Sequence, residues 1–315
     1  MTNDLQDASL ELTVLTPNDE PQFERLVAEV GWGVPKGRLR MMLEMGEGVG
    51  YLANGQLVAT SILFPFGPNL AFLGMVIVHP ERQRQGLGNV VVRKCLDRAA
   101  DLSIHSVGLL ATDAGYPLYQ KLGFVTADKA HRFVGKPIWV GQHDSDFHTT
   151  ARSALDDPAQ YGRSTLSVAP TALSITQLDE QDWPDVLAFD TEVSGADRSV
   201  TYRHFVQTVS YTAIARGSDA RLCGYGMATK VGDLLIIGPL QAVDMEAARQ
   251  LAVYLMRHAD GEVRLDVPSN QTAWMRQLEE WGLVATHVSP MMLHGGITFP
   301  GCRQWLYGIM DAALG

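Results

Sequence analysis

Apolar positions along the chain fall at strand and helix periods in the same order twice. In the first pass, Leu12-Thr13-Val14-Leu15 alternates as a strand does, and Phe23, Leu26 and Val27 then share one helical face. In the second, Leu173-Ser174-Ile175 is followed by Trp183, Val186 and Leu187. Hairpin strands come next. Tyr51 to Val58 turns on Asn54-Gly55, the pair that suits a tight type I′ turn, and Tyr211 to Tyr225 carries Arg216-Gly217-Ser218-Asp219 at the corresponding place. Each pass continues with an apolar strand running to a proline, Met75 to Pro80 and Leu235 to Pro239. A helix, a strand and a short helix follow, ending Leu122-Gly123-Phe124 or Trp281-Gly282-Leu283.

The spacing of these landmarks points to a duplication. Pro80 to Gly123 spans 43 positions, as does Pro239 to Gly282. Phe23 to Trp183 and Tyr51 to Tyr211 are offset by 160, and the two prolines by 159. Two mixed α+β units are expected, over 1–136 and 173–315. Between them, 137–172 reads as a linker, because its stretch from Gly141 to Pro170 is rich in Ser, Thr, Asp, Gly and Pro.

The 315 residues are 46% apolar and 19% charged, enough for packed cores, and the formal charge of −10 argues against a sequence-independent nucleic-acid binder. No apolar run is long enough to suggest a membrane span, and the acidic start MTNDLQDASLE does not read as a secretion signal. Cys95, Cys223 and Cys302 are widely spaced and form no framework. A soluble, cytoplasmic protein is expected. Residues 173–315 hold 10 basic against 17 acidic side chains, a net of −7, which favours a cationic ligand there.

Chemistry concentrates in one loop. Val76-Ile77-Val78-His79-Pro80 runs into Glu81-Arg82-Gln83-Arg84-Gln85-Gly86-Leu87-Gly88-Asn89, and a helix with Leu87, Val91, Cys95 and Ala99 as its buried stripe begins at once. Closely spaced glycines before a helix N-terminus let an anion meet free N–H groups and the positive end of the dipole. Arg82, Arg84, Arg93, Lys94 and Arg98 add cations. Neither a P-loop signature nor the Rossmann GxGxxG fits. His143, Asp144, Asp146 and His148 form a metal-like cluster only in the linker, without Cys partners, and no metal site is expected.

Gln83-Arg84-Gln85-Gly86-Leu87-Gly88 matches every fixed position of [QR]-x-x-G-x-[GA], the cofactor motif of the GNAT acetyltransferase superfamily. Tyr116-Pro117-Leu118-Tyr119-Gln120-Lys121-Leu122-Gly123-Phe124 resembles that family's [FL]-Y-x-x-[LR]-G-F segment, in the expected order. The whole chain resembles a tandem GNAT protein with a divergent second unit, each unit a mixed, mostly antiparallel sheet flanked by helices. The resemblance implies an N-acetyltransferase with acetyl-CoA as acyl donor, bound between two splayed strands. Val76, Ile77 and Val78 would pair with the pantetheine arm, and Gln83, Arg84, Gln85, Gly86, Leu87, Gly88 and Asn89 would cradle the pyrophosphate. A small-molecule primary amine would attack the thioester directly. The implied partners are that amine, no nucleic acid and no membrane, with a homodimer left open.

By the same resemblance Tyr119 is the general acid at the departing thiolate. Glu29, just past the first helix, is the candidate to hold or deprotonate the amine, with Trp32 stacking on it, against an ordinary solvated carboxylate. His79 reads as a strand-end residue and Cys95 as a core thiol. Asp190 and Asp197, with Arg198, are candidates to close the acceptor pocket from the second unit, against a helix cap and an ion pair. At the constant offset Gln83, Gly86 and Gly88 face Ala242, Met245 and Ala247, and Tyr119 faces Leu278. The second unit is therefore expected to keep the fold without the cofactor chemistry. Acetylation of a peptide amine and a non-catalytic acyl-CoA module remain alternatives.

Overall fold

Elements form where the apolar periods place them. The computed structural model describes residues 10–34, 37–138 and 173–315. The first half runs β1 (Leu10–Leu15), α1 (Glu20–Glu29), α2 (Arg38–Met45), β2 (Glu47–Ala53), β3 (Gln56–Pro65), β4 (Leu70–Val78), α3 (Leu87–Asp101), β5 (Ser106–Leu110), α4 (Tyr116–Lys121) and β6 (Val125–Gly135). The second runs β7 (Ser174–Thr176), α5 (Trp183–Ser194), α6 (Ser199–Phe205), β8 (Tyr211–Arg216), β9 (Leu222–Val231), β10 (Leu234–Ala242), α7 (Met245–Met256), β11 (Val263–Pro268), α8 (Thr272–Glu280), β12 (Val284–His294) and β13 (Leu306–Gly308). The order is the same in both halves up to β13, which has no counterpart among the described residues.

The two halves share one sheet. Strands follow in the order β1-β2-β3-β4-β5-β12-β6-β11-β10-β9-β8-β7, with β13 against β10. Among the described strands only β4–β5 and β10–β11 pair in parallel. The last strands are exchanged: β12 of the second half lies between β5 and β6, and β6 of the first half lies between β12 and β11. Side chains follow the strands. Met292 of β12 packs in the first-half core with Cys95, Tyr119 and Phe124. Phe133 of β6 packs in the second-half core with Trp274 and Leu278. On the sheet's other face, Phe23 and Leu26 of α1 belong to the same cluster as Val186 and Phe189 of α5.

The internal repeat is real in topology, but its register differs from the constant offset. Thr16 and Asp19 form a capping box before α1, and Asp179 and Asp182 form the same box before α5, an offset of 163. Fully buried Phe23 thus answers to fully buried Val186, nearly one helical turn from the pairing with Trp183. Pro80 lies in a short 3₁₀ turn beyond β4, whereas Pro239 lies inside β10. The landmarks coincided because the loop from β4 to α3 has eight residues, 79–86, and the loop from β10 to α7 only two, 243–244. Beyond that loop the offset returns to 159 at Tyr119 and Leu278, where Phe124 N–H bonds Tyr119 O and Leu283 N–H bonds Leu278 O.

Candidate active site

β4 carries a bulge that shapes the site. Thr60 pairs with Ile77 and Ile62 with Gly74, so Met75 and Val76 together oppose Ser61. Met75 adopts φ 53°, and its carbonyl accepts a 2.8 Å bond from buried Thr60 Oγ1. Such a bulge bends the strand and re-aims its backbone. β4 and β5 pair only over Leu70–Phe72 with Ser106–Gly108. Past that point they part, and a cavity of about 600 Å³ is lined by Leu73 to Val76 of β4 on one side and by Leu110 of β5 with Ala111 and Thr112 just beyond it on the other.

The glycine loop stands at the end of β4. His79 N–H bonds Val58 O, and its ring Nδ1 accepts from Glu81 N at 3.3 Å, so His79 ends the strand and caps the 3₁₀ turn. Arg84 and Gly86 both take positive φ, at 62° and 86°. Gly86 occupies the N-cap of α3, where no side chain caps the helix, so its first N–H groups are open to an anion. Gln83 Nε2 folds back to Val78 O at 3.4 Å, and Arg93 Nε holds Asn89 Oδ1 at 2.8 Å. The two glycines differ. A Cβ at Gly86 meets nothing within 4 Å, but one at Gly88 meets Leu118 at 3.3 Å and Val78 at 3.5 Å, so Gly88 serves helix packing. Of the cations, Arg98 pairs with Glu47 and Lys94 with Asp97. Arg82 and Arg84 have no ion-pair partner among the described residues.

Tyr119 reaches the cavity from α4. Its ring packs edge-on to Phe124 at 5.8 Å, and burial pushes its phenol up to about 12, which keeps the proton on it. Cys95 is buried against Ser61 Oγ at 3.3 Å with its thiol pushed up to about 11 by desolvation, so it is a core thiol.

The acceptor side departs from expectation. Glu29 is exposed at the end of α1 and does not line the cavity, whereas Gly31, Trp32 and Gly33 do. Asp190 is also elsewhere. It is 1% exposed, and its Oδ1 accepts from Tyr202 and Tyr225 hydroxyls at 2.8 and 2.7 Å and from Gln241 Nε2 at 2.9 Å. Arg198 completes that cluster through Nε to Asp190 Oδ2 at 3.0 Å. Asp197 is exposed and accepts from Ser199 N at 2.9 Å, capping the start of α6. Both carboxylates anchor helices of the second half, and buried Asp190 is tolerated there only with its donors around it.

The second half still walls the cavity, with residues that sequence reasoning missed. Thr229, Ile236 and Arg264 line it from β9, β10 and β11, and His287 and Ser289 from β12. Arg132 of β6 and the pair Arg38–Asp311 complete the charged lining. No local signal marks them: Asp311 lies 273 positions from Arg38 in sequence. The lining is cationic, although the half carries net −7. The acidic surplus lies elsewhere, as in Asp185 beside Arg216 and Asp260 beside Lys230.

The corresponding places in the second half are closed. Six residues of the loop are missing, and Asp244 caps α7 by accepting from Ala247 N at 2.8 Å. A carboxylate thereby already occupies the helix N-terminus. Where β10 and β11 part, β13 fills the gap: Leu240 pairs with Gly308, and Ile309 N–H bonds Asp266 O. Leu278 stands where the first half has Tyr119.

Among the described residues no group of three or more His, Cys, Asp or Glu side chains could hold a metal ion, and no helix is long and apolar enough to cross a membrane. His143, Asp144, Asp146 and His148 lie outside the described residues.

Residues 22–124 match the acetyltransferase (GNAT) family, and residues 186–308 match an acetyltransferase (GNAT) domain. The chain is 28% identical over 293 residues to the uncharacterized N-acetyltransferase YitH of Bacillus subtilis strain 168, covering 92% of this chain and 93% of that one. Its fold resembles that of a candidate acetyltransferase from Pyrococcus horikoshii, with a TM-score of 0.73 and 17% identity over 100% and 99% of the two chains. It also resembles a tandem GNAT protein from the clavulanic acid biosynthesis pathway, with a TM-score of 0.61 and 16% identity over 91% and 99%.

Proposed function

The chain belongs to the GNAT acetyltransferases, with two such domains in tandem, and on that premise we propose that 1–136 transfers acetyl from acetyl-CoA to a primary amine of a small molecule. The observation that carries the proposal is the asymmetry of the repeat. In the first half the parted strands and Tyr119 line one cavity, and α3, just beyond the end of β4, starts uncapped behind an exposed loop. In the second the same three places hold β13, Asp244 and Leu278.

When bound, acetyl-CoA supplies the thioester that the amine attacks. The chain's own residues bind and orient it. The N–H groups at the start of α3, with Arg82 and Arg84, hold the pyrophosphate, and the bulged backbone of β4 at Met75 to Val78 lines the pantetheine arm. Tyr119 holds a proton at its hydroxyl for the departing sulfur. Among the described residues no unpaired carboxylate lines the cavity, because Asp311 is tied to Arg38. The amine therefore loses its proton to solvent.

Calorimetric titration with acetyl-CoA is expected to give one site per chain. Two comparable sites, or none, would overturn the proposal. Thiol release over a panel of free amines and peptides then separates a small-molecule acceptor from a peptide one.

A further inference from the structure

We propose that the acceptor amine carries a carboxylate and that Arg132 reads it. The inference rests on the acetyltransferase reading above and names the substrate class of the same cavity. Among the described residues three guanidinium groups line that cavity. Arg38 is neutralised by Asp311. Arg132 and Arg264 share a single carboxylate, Asp266, which leaves one positive charge over.

The sharing is unequal. Arg264 grips Asp266 with two nitrogens, Nη2 to Oδ2 and Nε to Oδ1 at 3.3 Å. Arg132 gives only Nε, to Oδ1 at 2.9 Å. Both terminal nitrogens of Arg132 are without a partner among the described residues, and its side chain is 32% exposed where it lines the cavity. A guanidinium fixed at Nε with its outer edge free is a preorganised fork for a planar oxyanion. Asp266 aims Arg132 and Arg264 offsets Asp266, so the surplus charge stays with Arg132. That surplus matches a carboxylate better than a phosphate monoester, which carries about −1.5 to −2.

Neighbouring groups suit the same ligand. Across the sheet Asp266, Arg132 and His287 lie in one row on β11, β6 and β12. Ser289, two positions further along β12, adds a hydroxyl to the lining. The row's distance from the parted strands sets the ligand's length. Met291 of β12 pairs with Leu110, so His287 and Arg132 lie four positions away. At about 3.4 Å per residue the row is on the order of 14 Å from Leu110, and an arginine side chain shortens that span. The amine and the carboxylate of the acceptor are therefore about 10 Å apart.

The test compares matched acceptors on the full chain: 6-aminohexanoate and 8-aminooctanoate, hexylamine and octylamine, 1,6-diaminohexane, and 6-aminohexyl phosphate. Wild-type kcat/KM is expected to favour the aminocarboxylates at least about tenfold over the alkylamines, with the diamine poorest. Arg132→Gln is expected to raise KM for the aminocarboxylates about 10–100-fold, with kcat and the alkylamine KM little changed. Equal turnover of acids and alkylamines, or preference for the diamine, overturns the inference, and preference for the phosphate overturns the carboxylate. The wild-type comparison does not depend on whether the variant folds. A wild type that binds no acetyl-CoA and releases no thiol with any amine instead overturns the underlying acetyltransferase reading.

Discussion

Tyr119 keeps its proton at rest because of where α4 puts it. Burial among Cys95, Phe124 and Met292 disfavours the phenolate and pushes the group up to about 12. The protonated form is thus the resting form, and it is lost only as pH rises through about 12. The alkaline limb of activity is accordingly not expected to come from Tyr119 below about pH 11, and the rise at lower pH should follow the amine's own pKa. Tyr119→Phe should lower kcat about 10²–10⁴-fold while acetyl-CoA affinity by calorimetry stays within about twofold. Turnover within twofold of wild type would mean that water does the work. At this scale the position of Tyr119 was legible, because its Leu122-Gly123-Phe124 turn fixes it locally, whereas that of Glu29, which does not line the cavity, was not. One helix end looks like another in a sequence. Only the neighbouring chain decides which residues beyond it turn inward, and here they are Gly31 to Gly33.

The element that separates the two halves is the loop between the bulged strand and the helix it feeds. Eight residues with Gly86 at φ 86° leave α3 uncapped; two residues with Asp244 leave α7 capped. Gly86→Val places a β-branched residue in the left-handed region, costing about 1–2 kcal/mol. Open space around that Cβ spares the core, so the melting temperature should fall only about 2–4 °C. Acetyl-CoA binding should weaken at least tenfold, because the N–H groups after Gly86 would no longer converge. A folded Gly86→Val protein with unchanged affinity by calorimetry would remove the loop from the cofactor site. The sequence identified the loop because glycine spacing is a local property. It misjudged the repeat's register because an insertion before α3 and a shift at the first helix compensate in a plain count.

For the whole molecule, strand exchange makes the halves interdependent. β12 supplies Met291, Met292 and Leu293, all fully buried, to the first half, and pairs with both β5 and β6. A fragment of residues 1–138 would lose that strand, expose the β5 edge and leave large voids. Removing one buried Leu or Met side chain typically costs 2–5 kcal/mol, and three are lost at once. The fragment is expected to show no cooperative thermal transition and no acetyl transfer, measured by circular dichroism and thiol release. A fragment that melts like the full chain and turns over fully would make the second half dispensable.

The amino-acid sequence determined what depends on near neighbours: the two sets of elements, the buried faces of their helices, the glycine loop and Tyr119 with its turn. Periodicity, turn chemistry and motif spacing all act within about a dozen residues, so they can be read in order along the chain. The tertiary structure decided what depends on pairing between residues far apart in sequence. It set β12 against β5, filled the second half's cleft with β13, and brought Arg132 to Asp266. It also set the sign of charge in the cavity, which net charge could not report, since acidic side chains can be spread over a surface while three arginines converge on one hollow.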